Sequence, residues 1–316
     1  MVNGCCIWFV CAVKDACMLM QVRLWLAGFV CGLLLFAVVP GAAGQDLRVM
    51  SFNVRYGTAG DGADSWPMRK ELVLSVVRTY APDLLGTQEM LPFQAEYLRD
   101  NLVTDASAGK PQYTYIGWSR DATAGGEQCG LFIRTERFEV EEAGQFWLSE
   151  RPDEKFSKSW DSSLPRVCTW ARLKDRSVDG RRLLFANTHF DHRGAEARLQ
   201  SAQLLRTRLP QLAGDLPLVV TGDFNCGEDS APWRAVAGAD GLRDTFRVAF
   251  PEKQAMEGTF HGFRGTAGSE RIDWILYTGD HFRTVSAGID RTSQDGRYPS
   301  DHFPVTAVLS TPAAGR

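Results

Sequence analysis

The chain has 316 residues, of which 44% are hydrophobic, and a formal net charge of −3 from 35 Lys and Arg against 38 Asp and Glu. This composition describes a globular protein and excludes an extended disordered or collagen-like chain. The near-neutral balance also excludes a protein that coats nucleic acid over its whole surface, because such binding depends on a broad basic surface.

The amino-terminal segment differs in composition from the rest of the chain. Residues 24–39 form an uncharged apolar run that follows Arg23 and precedes small residues ending in Ala43 and Gly44. This order is typical of a secretory signal peptide. The alternative is a membrane anchor, but a span takes about 20 apolar residues. We therefore expect residues 1–44 to be a leader, residues 45–316 to be one domain, and the processed protein to be periplasmic or extracellular without a membrane span.

From residue 45 onward, short apolar strands alternate with helical stretches, which predicts an α/β fold. A first strand is predicted at 47–55, where apolar and polar residues alternate. Pro67 opens a predicted helix whose buried stripe is Leu72, Val73, Val76, Val77 and Tyr80. Later elements are a strand that starts at Asp83, strands at 183–188, 218–221, 272–277 and 304–309, and a helix at 195–209.

A polar side chain suited to catalysis or metal binding stands at or beside the end of nearly every predicted strand. Strand ends along one edge are where layered α/β folds build their sites. Each residue alone would be explained by a turn or a structural histidine, but their recurrence predicts one site. These residues are Asn53, Glu89, His189, Asp223, Asn225, Asp273, Asp301 and His302.

Six short motifs carry a family resemblance. They are Ser-Phe-Asn-Val-Arg at 51–55, Thr-Gln-Glu at 87–89, Asn-Thr-His at 187–189, Gly-Asp-Phe-Asn at 222–225, Arg-Ile-Asp at 271–273 and Ser-Asp-His at 300–302. In this order they resemble the endonuclease/exonuclease/phosphatase superfamily of deoxyribonuclease-I-like phosphoesterases. The resemblance implies a four-layer α/β sandwich, with two facing mixed β-sheets flanked by helices. Residues 146–150, 192–196 and 258–262 look similar to a secreted bacterial branch of that superfamily.

Hydrolysis of a phosphate ester needs a cation on the phosphoryl oxygens, because their negative charge repels an attacking hydroxide. Mg²⁺ prefers oxygen ligands and is typically held by one or two carboxylates. Glu89 is the best candidate for a direct ligand, with Asn53 and Asp301 beside it. Mn²⁺ or Ca²⁺ could replace or accompany Mg²⁺ at such a site.

The catalytic roles are those that the resemblance implies. Asp273 is the partner that fixes the tautomer of His302, Asp223 orients or deprotonates the attacking water, Asn225 contacts the phosphate, and His189 donates to a phosphoryl oxygen. Either Asp223 or His302 could accept the proton. We assign the base to Asp223 and treat His302 as a donor that stabilises charge.

A further set of residues would lie around the site and contact substrate. Asp191, His192 and Arg193 follow directly on His189, while the others are placed to reach a second phosphate or an acidic group; they are Arg166, His261 and Arg297. For each of them the alternative is a solvated loop residue or a surface ion pair.

The sequence favours a secreted, divalent-metal-dependent phosphoesterase that acts on a small or medium phosphate mono- or diester. An extracellular endonuclease or exonuclease acting on DNA or RNA is the main alternative; the mildly acidic chain, without a basic run, disfavours it. A catalytically inactive binding module of the same fold is a third hypothesis. It would ordinarily have lost Glu89, Asp223 or His302, all of which are present.

Overall fold

The computed structural model describes residues 46–105, 110–123, 125–178, 180–238 and 241–311. The predicted leader lies outside these residues. Within them, no helix combines the length and the apolar character that a membrane crossing requires.

The strands and helices of the described residues alternate only in part, since seven strands follow one another between residues 103 and 189 and three between residues 273 and 310. The strands are β1 (Leu47–Asn53), β2 (Leu84–Met90), β3 (Val103–Asp105), β4 (Lys110–Pro111), β5 (Tyr113–Ile116), β6 (Gln128–Arg134), β7 (Phe138–Trp147), β8 (Val167–Asp175), β9 (Arg182–His189), β10 (Leu218–Asp223), β11 (Arg243–Asp244), β12 (Asp273–Tyr277), β13 (Arg283–Ile289) and β14 (Val305–Ser310). The α-helices are α1 (Trp66–Tyr80), α2 (Pro92–Asn101), α3 (Ala195–Ala213), α4 (Ala231–Ala237) and α5 (Thr245–Ala249), and Gly62–Asp64 forms a 3₁₀ turn.

The larger strands assemble into two mixed six-stranded sheets. The first has the order β13-β14-β1-β2-β6-β5 and the second the order β11-β12-β10-β9-β8-β7, while β3 and β4 pair separately. In each sheet the two central strands, β1 with β2 and β9 with β10, run parallel, and their other neighbours are antiparallel. Parallel neighbours end at the same edge, so side chains that follow them converge.

Three apolar clusters hold four layers together. Helices α1 and α2 pack on the outer face of the first sheet, and α3 and α4 pack on the outer face of the second. The third cluster lies between the sheets and includes Val49, Leu84, Leu131, Phe185 and Val219. Burying such side chains stabilises the fold by about 1.5–3 kcal/mol each. This architecture confirms the predicted four-layer α/β sandwich.

The elements predicted from periodicity are present, with two differences. In α1, Leu72 and Tyr80 are only half-buried, whereas Leu74 is buried because it lies on the arc that faces the sheet. Helix α3 continues beyond the predicted end, through Pro210 to Ala213, and stops before Gly214 at φ 59°. The proline removes one hydrogen bond in the last turn, and the burial of Ala213 against the second sheet offsets that loss.

Below the catalytic edge, Asn187 on β9 joins the two sheets by hydrogen bonds. Its Nδ2 donates to the carbonyl oxygens of Thr87 (2.8 Å) and Gly130 (3.1 Å) in the first sheet. Its Oδ1 accepts from Gln88 Nε2 (2.6 Å) and from Thr221 Oγ1 (3.1 Å). A side chain at residue 86 would collide with Thr221 and Asn187, so the close approach of the sheets requires Gly86.

Replacing Asn187 by alanine should lower the free energy of unfolding by about 3 kcal/mol, because buried partners in both sheets lose their hydrogen bonds. Urea denaturation in EDTA measures the change. The matched control is Asn101→Ala, since Asn101 is half-buried and its amide bonds only Tyr97 O within α2; we expect a loss under about 1 kcal/mol. Equal losses for the two variants would show that Asn187 does not join the sheets energetically.

Candidate active site

The site lies at one edge of the sandwich and takes residues from both sheets. Strand register places Asp223 directly opposite His189 on one side and Asp273 on the other, at the ends of β10, β9 and β12. From the first sheet come Asn53, at the end of β1, and Glu89, near the end of β2. The turn before β14 adds Asp301 and His302. The structure therefore brings together the eight residues predicted at strand ends.

Asn53 connects the two halves of the site. Its Nδ2 donates to Glu89 Oε1 (3.2 Å) and to Asp223 Oδ2 (3.0 Å), and its Oδ1 accepts from the backbone N–H of Arg55 (3.0 Å). One amide can contact both carboxylates because its NH₂ group has two hydrogens to donate, and being neutral it leaves both carboxylates charged. Asn53 is fully buried, so its position is set by both sheets at once.

Two site residues have left-handed backbone conformations that are uncommon outside glycine. Glu89 has φ 58° and Asn225 has φ 49°. At such angles the chain turns sharply as each strand ends, which directs the side chain into the cleft. The Glu89 carboxylate is then fixed by the N–H of Tyr56, which donates to Oε2 at 2.8 Å.

Asp273, His302 and Asp223 form a charged row. Asp273 Oδ2 lies 2.9 Å from His302 Nδ1, and His302 Nε2 lies 3.7 Å from Asp223 Oδ2. Burial alone would lower the pKa of His302, but Asp273 and Asp223 outweigh it and hold that pKa well above its ordinary value. Burial, followed by repulsion from Asp273, raises the pKa of Asp223. His302 is thus a charged donor, and Asp223 is a carboxylate with increased proton affinity.

His189 has the opposite electrostatic environment. Burial, followed by the guanidinium of Arg166, lowers its pKa to about 3. Its Nε2 lies 3.0 Å from Asn225 Nδ2, and because an amide nitrogen only donates, Nε2 accepts there. The ring proton then lies on Nδ1, which is 3.4 Å from Glu127 Oε1. Nε2 of the neutral His189 ring is an acceptor in this arrangement, so donation to a phosphoryl oxygen from that nitrogen would require a second proton on the ring.

Comparison with known protein families identifies the family of this chain. The model for the endonuclease/exonuclease/phosphatase family matches residues 50–302. The chain belongs to this family. A family member from Bacteroides thetaiotaomicron is 32% identical, with a TM-score of 0.76 over 86% of this chain and 98% of that one. A mannosyl-6-phosphatase from the same species is 34% identical, with a TM-score of 0.74 over 83% of this chain and 99% of that one.

Curated relatives of the endonuclease/exonuclease/phosphatase family are more distant in sequence. Nocturnin from Xenopus laevis is 25% identical across 84% of this chain and 73% of its own length. Nocturnin from Drosophila melanogaster is also 25% identical, and the chain spans 46% of the length of that relative. Family members are divalent-metal-dependent hydrolases of phosphoric esters, so residues 50–302 are those of a metal-dependent phosphoric ester hydrolase.

The donor set at the edge fits a hard divalent cation. Glu89, Asn53 and Asp301 offer only oxygen ligands, which Mg²⁺ prefers. Burial, with Glu89 among the neighbouring charges, raises the pKa of Asp301, and a cation would relieve this crowding of carboxylates. Asp223, Asp273 and His302 are a second candidate set of metal ligands, because their ligand atoms lie within 4.8 Å of one another. In that set, however, Asp273 and His302 are already hydrogen-bonded to each other.

The predicted substrate-contacting residues separate into two groups. Arg166 and His192 line the cleft, and they contact each other through Arg166 Nη2 and His192 Nδ1 at 2.8 Å. The others are not among the described lining residues. The Asp191 carboxylate is buried and accepts from backbone N–H groups of its own loop, which holds its pKa well below the usual range. Arg193 lies in the same loop and is exposed to solvent.

His261 and Arg297 also lie apart from the cleft. The His261 ring is 1% exposed and stacks on Phe303 with ring centroids 3.9 Å apart, so it packs beneath the site rather than facing substrate. Arg297 is exposed and donates to the carbonyl of Ala63 at 3.4 Å. A structural contact accounts for each residue.

Several cleft residues carry no role in the sequence prediction. Arg55 lies 3.5 Å from Asp301 and forms a two-bond ion pair with Asp61. Its place in the motif at 51–55 was a signal that sequence reasoning could have used. Phe260 and Ile272 also lie within stretches named in the sequence analysis, at 258–262 and 271–273, whereas no local pattern marks Arg120, Glu127 and Leu164.

The two catalytic-edge histidines should titrate differently. In the metal-free protein, His189 should stay neutral with its proton on Nδ1 between pH 5 and 8, because its pKa is about 3. His302 should remain doubly protonated at pH 6.5, since its pKa is raised well above that value. Two-dimensional ¹⁵N–¹H NMR of the imidazole nitrogens distinguishes these forms. A His189 signal that titrates near pH 6.5 would contradict the assignment.

Proposed function

We propose that the protein is an exported, Mg²⁺-dependent phosphoesterase that hydrolyses a small phosphate ester. The observation that carries the substrate size is the cleft, which has a volume of about 390 Å³ and is bounded by side chains on both sides of the catalytic residues. Pockets of this size accommodate small molecules. The chain is mildly acidic and has no basic run in its sequence, which disfavours a long polyanion as substrate.

The leaving group that we favour is a sugar. The mannosyl-6-phosphatase from Bacteroides thetaiotaomicron supports this choice, since it is 34% identical over 83% of this chain. The same similarity supports membership of a bacterial branch of the family. A sugar monophosphate also has the size that the cleft admits.

Glu89, Asn53 and Asp301 would hold the cation, which neutralises the phosphoryl oxygens when bound. Asp223 orients the attacking water and takes its proton, and its raised pKa supports this role. As the water oxygen bonds to phosphorus, the bond to the leaving oxygen breaks, and that oxygen takes a proton from solvent. Charged His302, fixed by Asp273, donates to the negative charge that develops on the phosphoryl group. The Asn225 amide lines the cleft, where its Nδ2 donates to His189 Nε2 (3.0 Å) and to Phe190 O (3.0 Å), so contact with the phosphoryl group would require the release of one of these bonds.

Activity of the purified protein should be absent in EDTA and return with Mg²⁺. We expect turnover of sugar phosphates and p-nitrophenyl phosphate without nicking of plasmid DNA. Asp223→Asn should lower kcat by about 10²–10⁴-fold, since general base catalysis contributes that factor. Phosphate release measured with Mg²⁺, Mn²⁺ and Ca²⁺ in parallel tests the choice of cation.

Asp153→Asn is the control for that substitution, because Asp153 is an exposed carboxylate that pairs with Arg208 far from the cleft residues. Its kcat should equal that of the unmodified protein. Plasmid nicking that Asp223→Asn abolishes would favour the nuclease instead. Binding of phosphate esters without turnover by any of the three cations would favour an inactive binding module.

Export is proposed from the composition of residues 1–44. When the whole chain is expressed in a bacterium, the mature protein should begin near residue 44 and appear in the periplasm or medium. Mass spectrometry of the amino-terminal peptide measures this. A mature protein that begins at Met1 or Met18 would rule out cleavage of the leader.

A further inference from the structure

One side of the cleft is built from polar residues that the catalytic mechanism does not use. We call Arg120, Glu127, Arg166 and His192 the polar wall; all four line the cleft beside His189. Three of them are buried, and His192 is exposed at the rim. Arg120 Nη1 donates to Glu127 Oε1, and Arg166 Nη1 lies 3.9 Å from the same oxygen. The wall is therefore continuous from the interior to solvent.

The polar wall has hydrogen-bond donors without acceptors. In the described part of the chain, Arg166 Nη1 and Arg120 Nε are buried and make no hydrogen bond. Arg166 is only 3% exposed, so bulk water does not compensate for these missing bonds. Buried donors of this kind are costly to leave unpaired. A ligand oxygen that enters the cleft would complete them.

His192 adds a donor at the rim. A guanidinium nitrogen only donates, so Arg166 Nη2 donates to His192 Nδ1 at 2.8 Å. The neutral ring then carries its proton on Nε2, the nitrogen that Arg166 does not contact. Arg166 itself is held by Asp191, whose Oδ2 lies 3.4 Å from its Nε. The buried Arg166–Asp191 ion pair thus holds the His192 ring, and with it the Nε2–H donor, in position.

The charges of the wall select against a second anion. Glu127 and Asp191 balance Arg120 and Arg166, and Asp121 lies 3.9 Å from Arg120, so this side of the cleft has no net positive charge. Glu127 is also an acceptor in the cleft, and it would repel a phosphate oxygen, which carries no proton. A hydroxyl group both donates and accepts, so it can pair with Glu127 and with the arginine donors together.

The other side of the cleft offers an apolar surface. Phe260 is 47% exposed and lines the cleft, with its ring centroid 5.1 Å from that of His302. Leu164, whose backbone N–H donates to Asp191 beside the polar wall, is 38% exposed and adds a second apolar residue to the lining of the cleft. A sugar ring has hydroxyl groups at its edge and C–H groups on its faces, and it would meet chemically matching surfaces here.

We propose that the polar wall binds the hydroxyl groups of a polyhydroxylated leaving group and so determines substrate specificity. His192 Nε2 and the free arginine donors contact hydroxyl oxygens, and Glu127 accepts from a hydroxyl. This inference rests on the proposed function, because it assigns the leaving group of the same hydrolysis.

The test compares two phosphomonoesters with the same ring size. One is the best substrate among mannose 6-phosphate, glucose 6-phosphate and myo-inositol 1-phosphate, and the other is cyclohexylmethyl phosphate, which has no hydroxyl groups. The specificity ratio is kcat/KM for the first divided by kcat/KM for the second. His192→Leu should lower this ratio about tenfold, while His192→Gln, whose amide can replace the distal donor, should stay within about threefold.

The matched control is His281→Leu, since His281 is an exposed histidine that does not line the cleft; its specificity ratio should equal that of the unmodified protein. Arg166→Met, checked for folding by its melting temperature, should lower the ratio more than His192→Leu. Equal losses on both esters after His192→Leu would overturn the proposal, as would an unmodified enzyme that hydrolyses both esters equally well. Hydrolysis of neither ester would instead refute the proposed function, and the specificity proposal with it.

Discussion

The active site depends on the distance between two β-sheets, and Asn187 fixes that distance. Its side chain bonds carbonyl groups of the first sheet and side chains of both sheets, just below the catalytic edge. Gly86 permits the approach because it has no side chain. Without this contact, the carboxylates of the first sheet and those of the second would not share one cleft.

The close approach also produces the electrostatics of the site. Asp223 lies among Asn53, His189 and His302 because strands from both sheets end there. Its proton affinity rises through burial and through Asp273, while His302 is kept charged by the same carboxylates. One arrangement thus supplies a carboxylate that can accept a proton and an imidazolium that can donate. His189 differs from His302 in charge, because burial and Arg166 lower its pKa and keep its ring neutral.

Specificity is a property of the loops around this edge. Segments before β6, before β8 and after β9 bring Glu127, Arg166 and His192 to one side of the cleft. They lie outside the strand ends that carry the proposed metal ligands and the row of Asp273, His302 and Asp223. Because the loop residues are not the strand-end residues, they can change while the sheets keep their register. Proteins of this fold can therefore carry out the same reaction on different leaving groups.

The fold class and the eight residues at the strand ends could be predicted from the sequence. Apolar periodicity is a local signal, and each catalytic residue is adjacent to a strand that this periodicity marks. The tertiary structure alone decided which other polar residues reach the cleft. Arg120 and Glu127 belong to the cleft, whereas His261, beside the exposed Phe260, turns into the core against Phe303. Such choices depend on contacts between segments distant in the chain, and no local pattern encodes them.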